Sequence, residues 1–217
     1  MSGIADHRAF ILANTVQLAC PLVPELTLHL AHEAVPIWHK TEEELGQIGL
    51  APPFWAFAWA GGQALARYIL DHPEWILGKS VIDLASGSGL VALAAMKAGA
   101  ASVLAADIDP FAASAMRLNA ELNGVAIKVT SEDLLQAPPP QADFLLVGDL
   151  FYEKHLAQRV RGWLEQGRTQ GAHILVGDPG RSYFPKDRFE KRAEYMVPVT
   201  RELEDSEIKR TAVWQLP

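Results

Sequence analysis

Residues 80–89 read SVIDLASGSG, from Ser80 to Gly89. Ser80 to Ala85 is an apolar run of strand length, and Gly87 and Gly89 supply the backbone freedom of a tight turn. Leu90 to Ala98 follows as a helix of small and apolar residues, with Gly99 placed to end it. A strand that turns through glycines into a helix opens a parallel α/β sheet, and the chain beyond it repeats the unit. Ala101 to Ala106 is a second buried strand. Pro110 to Leu122 is a helix with Asp109 as its N-cap, Pro110 at the first helical position and Gly124 after its end. Ala126 to Thr130, Ala142 to Gly148 and Ala172 to Gly177 are the third, fourth and fifth strands, with a helix over Glu153 to Gly167. Ala193 to Val199 and Arg210 to Leu216 are two more strand candidates. Apolar strands alternating with helices predict a doubly wound, mostly parallel α/β sheet covered on both faces. Such sheets bind ligands at the carboxyl ends of their strands, where the strand order reverses.

Upstream of Gly78 the pattern is less regular, so the chain divides into an N-terminal extension and covering segment (1–77) and a core (78–217) of one compact domain. Asp6 to Asn14 suits a helix. Thr27 to Lys40 suits a strand and turn, with Pro36 breaking any helix there. Ala51 to Trp59 is rich in proline and aromatics, and Gly62 to Leu70 is a helix with Leu65, Ile69 and Leu70 on one face.

With 217 residues, 49% of them hydrophobic and 21% charged, the chain is long enough for a full core. A formal net charge of -7 argues against gripping a phosphate backbone, so no nucleic-acid partner is expected. The single cysteine, Cys20, has no internal disulfide partner and fits a reducing compartment. No apolar stretch is long enough to span a bilayer, so no membrane partner is expected and the default location is cytoplasmic. His29, His32 and His39 lack the fixed spacing and partners of a metal site, and none is expected.

Three acidic residues close three successive strands. Asp83 lies four residues before Gly87, where a carboxylate suits an ammonium-bearing, amino-acid-like ligand better than a pyrophosphate. The third position of the dinucleotide fingerprint is Ala92, which further disfavours a nicotinamide enzyme. Asp107 sits where a carboxylate accepts hydrogen bonds from a ribose diol, while neighbouring Asp109 reads as the helix cap. Asp133 closes the third strand, within reach of an adenine amino group. DLASGSG, AADIDP and SEDLL resemble the successive motifs of the class I, seven-stranded methyltransferases. The resemblance implies S-adenosylmethionine as cofactor, with Gly87 and Gly89 in the loop around its methionine part, Asp107 at the ribose and Asp133 near the adenine.

The fourth strand ends in Asp149-Leu-Phe-Tyr152. This resembles the Asp-x-x-Tyr motif of a subgroup rich in protein lysine methyltransferases, and it lacks the prolines of the adenine- and glutamine-directed enzymes. Together with PFWAFAWAGGQALARYILDHP, GDLFYE is similar to the electron transfer flavoprotein beta-subunit lysine methyltransferases. That resemblance implies a protein substrate, the flavoprotein beta subunit. It also implies catalytic roles for Asp149 and Tyr152, with Trp59 over the cofactor. A ribosomal-protein or small-amine acceptor, and a non-catalytic module keeping the cofactor fold, are the competing readings. The intact Asp149 and Tyr152 oppose the last.

Overall fold

The computed structural model describes residues 6–31, 52–199 and 207–217. Helix α1 (His7–Asn14) is capped by Asp6, whose carboxylate accepts from the Ala9 amide. An antiparallel hairpin follows, β1 (Val16–Cys20) and β2 (Val23–Leu30). Part of the expected Thr27 to Lys40 segment is thus the end of β2, while Pro36 lies outside the described residues. The hairpin escapes a sequence reading because its two-residue link, Pro21-Leu22, carries none of the Asn-Gly or Gly-x chemistry that marks such turns.

The remaining elements are α2 (Ala60–Asp71), β3 (Ser80–Leu84), α3 (Leu90–Lys97), β4 (Ser102–Ala106), α4 (Pro110–Asn123), β5 (Lys128–Thr130), β6 (Phe144–Gly148), α5 (Lys154–Thr169), β7 (His173–Asp178), β8 (Glu190–Pro198) and β9 (Ile208–Leu216). Seven strands form one sheet in the order β5-β4-β3-β6-β7-β9-β8. Strands β3 to β7 pair in parallel, and β9 runs antiparallel to both β7 and β8. The expected doubly wound, mostly parallel sheet is borne out. The order reverses between β3 and β6, so the ends of those two strands flank the crevice.

Side chains alternate between the two faces. Phe144, Leu146 and Leu175 join the cluster that also holds Leu65 of α2, Leu93 of α3 and Met116 of α4. Leu145, Val147, Ile174 and Val176 face Val160, Trp163 and Leu164 of α5 on the other side. Ile11, Leu26 and Leu28 from the first thirty-one residues belong to the first cluster, so the hairpin and the sheet share one core.

On that first face the period of two continues from Leu146 to Gly148 and from Leu175 to Gly177. Both glycines meet the start of α2. A Cβ on Gly61 would overlap the Gly177 carbonyl oxygen and lie 2.8 Å from the Asp149 amide nitrogen, and one on Gly148 would lie 2.9 Å from Gly62 Cα. Helix and sheet therefore touch backbone to backbone. We expect Gly177→Ala to destabilise the fold by about 1–3 kcal/mol through overpacking that no rotamer can relieve. Gly162→Ala in α5, where a Cβ meets nothing within 4 Å, should instead stabilise by about 0.5–1 kcal/mol. Urea melts of the two variants check the contrast, and a neutral Gly177→Ala would contradict the contact.

Candidate active site

The turn after β3 packs three left-handed residues into five positions: Ala85 (φ 53), Gly87 (φ 54) and Gly89 (φ 86). Asp83, 1% exposed, holds this turn to α3: one carboxylate oxygen accepts from the Ser86 hydroxyl and, at 3.0 Å, from the Ala92 amide. Burial pushes Asp83 up to about 7 despite those two bonds. Asn119, fully buried on α4, donates to the Ser88 carbonyl (2.8 Å) and accepts from the His29 amide of β2 (2.7 Å). The loop is tied down from three elements.

Asp107, just past β4, accepts from the Gly87 amide (2.9 Å) and the Asp109 amide (3.0 Å). Burial raises it above the usual carboxylate range, and the nearby charge of Asp109 adds to this. Asp109 accepts from the Phe111 amide at 2.8 Å and caps α4, the role expected from Pro110. Asp133 stands apart. It caps the 3-10 turn at Leu134–Gln136 and pairs with Arg159 at 2.8 Å, which holds its carboxyl below the usual range.

A cleft opens at the carboxyl ends of β3 and β6, lined by Trp59, Asp83, Ser86, Gly87 and Gly148 among others. The structure thus gathers Trp59, Asp83 and Gly87 around one space. Gly89 sits at the N-cap of α3 and Asp107 is tied to the loop through Gly87, while Asp133 is not among the lining residues.

Asp149 directly follows β6 with a left-handed backbone (φ 61) and is 8% exposed. One oxygen accepts from the Gly61 amide at 2.7 Å, and the other accepts from the Arg181 guanidinium. Tyr152, half exposed, places its ring 5.9 Å from Phe54, and Phe54 is in turn 5.9 Å from Trp59. Trp59 Nε1 donates to the Phe54 carbonyl at 2.9 Å, which fixes the indole at the cleft wall. Trp59, Phe54 and Tyr152 therefore form an aromatic row, and Arg181 links its Trp59 end to a buried, paired carboxylate. Arg181, Asp178, Asn119 and Gly61 were not singled out from the sequence. Asp178-Pro-Gly-Arg181 after a buried strand was the available signal for the first two.

Other polar groups lie away from the cleft. Burial pushes the Cys20 thiol up to about 12, away from thiolate chemistry. His29 is buried beside Thr15, and burial lowers it; His32 and His39 lie outside the described residues. Among the described residues no helix is long and apolar enough to cross a membrane.

The fold is that of solved methyltransferases. Magnesium protoporphyrin IX methyltransferase from Synechocystis, crystallised with bound SAM, superposes with a TM-score of 0.52 at 15% identity, over 72% of this chain and 80% of that one. The family model for ribosomal protein L11 methyltransferase (PrmA) matches residues 65–147. Electron transfer flavoprotein beta subunit lysine methyltransferase of Mus musculus is 37% identical over 95% of this chain and 83% of its own length. That of Homo sapiens is 36% identical over 96% and 81%. This chain belongs to the electron transfer flavoprotein beta subunit lysine methyltransferase family, as the resemblance in its aromatic string and GDLFYE implied.

Asp83 gives a measurable electrostatic signature. Its folded pKa lies above the ordinary carboxylate value near 4, so the native state binds the extra proton between about 4 and about 7. Stability from this group therefore declines as pH rises through that window. We expect the unfolding free energy of wild type minus that of Asp83→Asn to fall from pH 4 to pH 7 and then level off, read from urea melts. A difference that rises over this window would contradict the burial of the charge.

Proposed function

We propose that this chain is an S-adenosylmethionine-dependent protein-lysine N-methyltransferase acting on the beta subunit of electron transfer flavoprotein. The observation that carries the reading is the adjacency of two features. A glycine-loop cleft lined by the Asp83 carboxylate and Trp59 adjoins an aromatic row, Trp59-Phe54-Tyr152, that Arg181 links to the buried Asp149. The relatives at 36–37% identity supply the acceptor class.

The residues suit the cofactor. Asp83 faces the cleft and fits the ammonium of its amino-acid end, and the Gly87 turn leaves room for backbone approach. We assign Asp107 to the ribose and Asp133 to the adenine side, with Gly89 shaping the loop and Trp59 covering the site. When bound, the cofactor supplies an activated methyl group that needs no further electrophilic help. The chain's residues must then deliver a neutral amine in line. Neutralising a free lysine at pH 7 costs roughly 4–5 kcal/mol, because its pKa is about 10.4. Desolvation by Phe54 and Tyr152 lowers that cost, and a held geometry supplies more of the rate. Asp149 orients the nitrogen, and Tyr152 packs against it. A reducing, cytoplasmic location belongs to the same reading, supported by the free Cys20.

Asp107 and Asp109 separate binding from capping. Asp107→Ala should weaken S-adenosylhomocysteine by roughly 1.5–3 kcal/mol, the worth of charge-assisted hydrogen bonds. Asp109→Ala should cost about 1 kcal/mol of stability with little loss of affinity. Calorimetry and thermal melts on both variants check this, and the reverse pattern exchanges the two roles.

Acceptor identity is tested with labelled S-adenosylmethionine and two purified proteins, flavoprotein beta subunit and ribosomal protein L11. We expect lysine labelling on the flavoprotein, none on the ribosomal protein, and very little on free lysine. Asp149→Ala should keep cofactor affinity and lose most turnover. Label on L11 alone would replace the substrate assignment.

A further inference from the structure

The loop after β7 begins Asp178-Pro-Gly-Arg181. Asp178 is 2% exposed, and one of its oxygens accepts from the Gly180 amide (2.7 Å) and the Arg181 amide (2.9 Å). The loop is thereby locked, and the Arg181 side chain reaches between Asp149 and Trp59. Its Nε donates to Asp149, and its guanidinium carbon lies 5.9 Å from the centroid of the Trp59 ring. The Arg181 side chain is 22% exposed against 5% for that of Asp149, so the pair is largely desolvated.

This arrangement bears on a conflict in the chemistry. An attacking lysine needs its lone pair, so it must lose a proton. A buried carboxylate within a few ångströms favours the ammonium form and opposes that loss. Resting on the lysine-methyltransferase reading, we infer that Arg181 is a positioning residue that cancels the charge of Asp149, so that a lysine reaching the aromatic row sheds its proton to water instead of forming a salt bridge. Asp149 keeps its hydrogen-bonding oxygens in place through Gly61 while its field on the amine is offset.

The other charged and titratable groups facing this point make the offset more necessary. Asp178 ends β7 within electrostatic reach of Asp149, and Tyr152 lies on the same loop as Asp149. Asp107 from the end of β4 and Glu153 at the N-cap of α5 act on Tyr152 together with Asp149. All four are neutral or negative. Burial pushes Asp178 up to about 6, with a contribution from Asp149 that Arg181 opposes. Arg181 is the cation that the described structure sets among them, and its contact with Trp59 keeps it beside the aromatic row.

The test is the pH dependence of initial rates on purified flavoprotein beta subunit, from pH 6 to 10 at saturating cofactor. Thermal melts and S-adenosylhomocysteine binding confirm that each variant is folded. In wild type the rate should climb with pH as the bound amine deprotonates. Arg181→Met should move that rise upward by about one to two pH units and recover toward wild-type rate at high pH. Arg181→Lys should leave the rise near its wild-type position. Asp149→Asn, which removes the carboxylate's field from the amine, should move it downward, and this reading holds even if Arg181→Met does not fold. An Arg181→Met rate lowered equally at every pH would overturn the inference. So would a variant faster than wild type at neutral pH, which would make the guanidinium a plug. A carbon-13 carboxyl titration gives a readout independent of any acceptor: Asp149 should titrate at higher pH in Arg181→Met than in wild type. Unchanged titration overturns the pairing. Wild-type enzyme that labels no lysine overturns instead the substrate reading beneath it, and the carboxyl titration still decides the role of Arg181.

Discussion

Where α2 meets β6 and β7, no side chain separates helix from sheet. Gly61 and Gly62 lie on Gly177 and Gly148, and a methyl group on Gly61, Gly148 or Gly177 would overlap the facing backbone. Much of the site follows from that contact. It brings Trp59, the residue before the helix, over the cleft beside the glycine loop. It also aims the Gly61 amide, one of the unsatisfied donors at a helix start, at the Asp149 carboxylate. The left-handed backbone of Asp149 is a strained conformation for a residue with a side chain, and the contact supports it from both sides. The Asp149 amide donates to the Gly177 carbonyl at 2.9 Å, so the same glycine fixes both the helix and the residue at the strand end.

Four carboxylates gather at this end of the sheet: Asp83, Asp107, Asp149 and Asp178. Each accepts at least one backbone amide from a neighbouring turn or helix start. This is how a cluster of like charge is kept in a low-dielectric crevice: amide dipoles replace the water that burial removes. The cost is still visible in the upward shifts of Asp83, Asp107 and Asp178, each of them due chiefly to burial. Acids held in a crevice at such a cost are candidates for ligand contact.

The parallel core was legible because its signals are local. Apolar runs, Gly99 and Gly124 after helices, and Asp109-Pro110 before one are read within a few residues of themselves. The placement of Asp83, Gly87 and Asp107 at one end of the sheet was legible for the same reason, since each closes or follows a strand. The hairpin link at Pro21-Leu22 carries no turn signature, and its pairing is a non-local fact. Arg181 and Asn119 act on residues 32 and 31 positions away. No window of sequence joins those partners, so their roles emerge only when the strands are assembled. Asp133 marks the opposite case. Its place in the sequence suits an adenine contact, but the side chain is engaged by Arg159, a partner supplied by the following helix.

Asn119 joins the glycine loop to the N-terminal hairpin through two hydrogen bonds of one amide group, both buried. The loop's shape is therefore held in part by groups, Asn119 and the hairpin, that are not among the residues lining the cleft. A free glycine-rich segment loses a large conformational entropy when a ligand orders it. Here that loss has already occurred during folding, when α4 and the hairpin docked. A ligand arriving at the crevice meets a glycine loop that is preorganised, and the ordering of that loop takes nothing from its affinity.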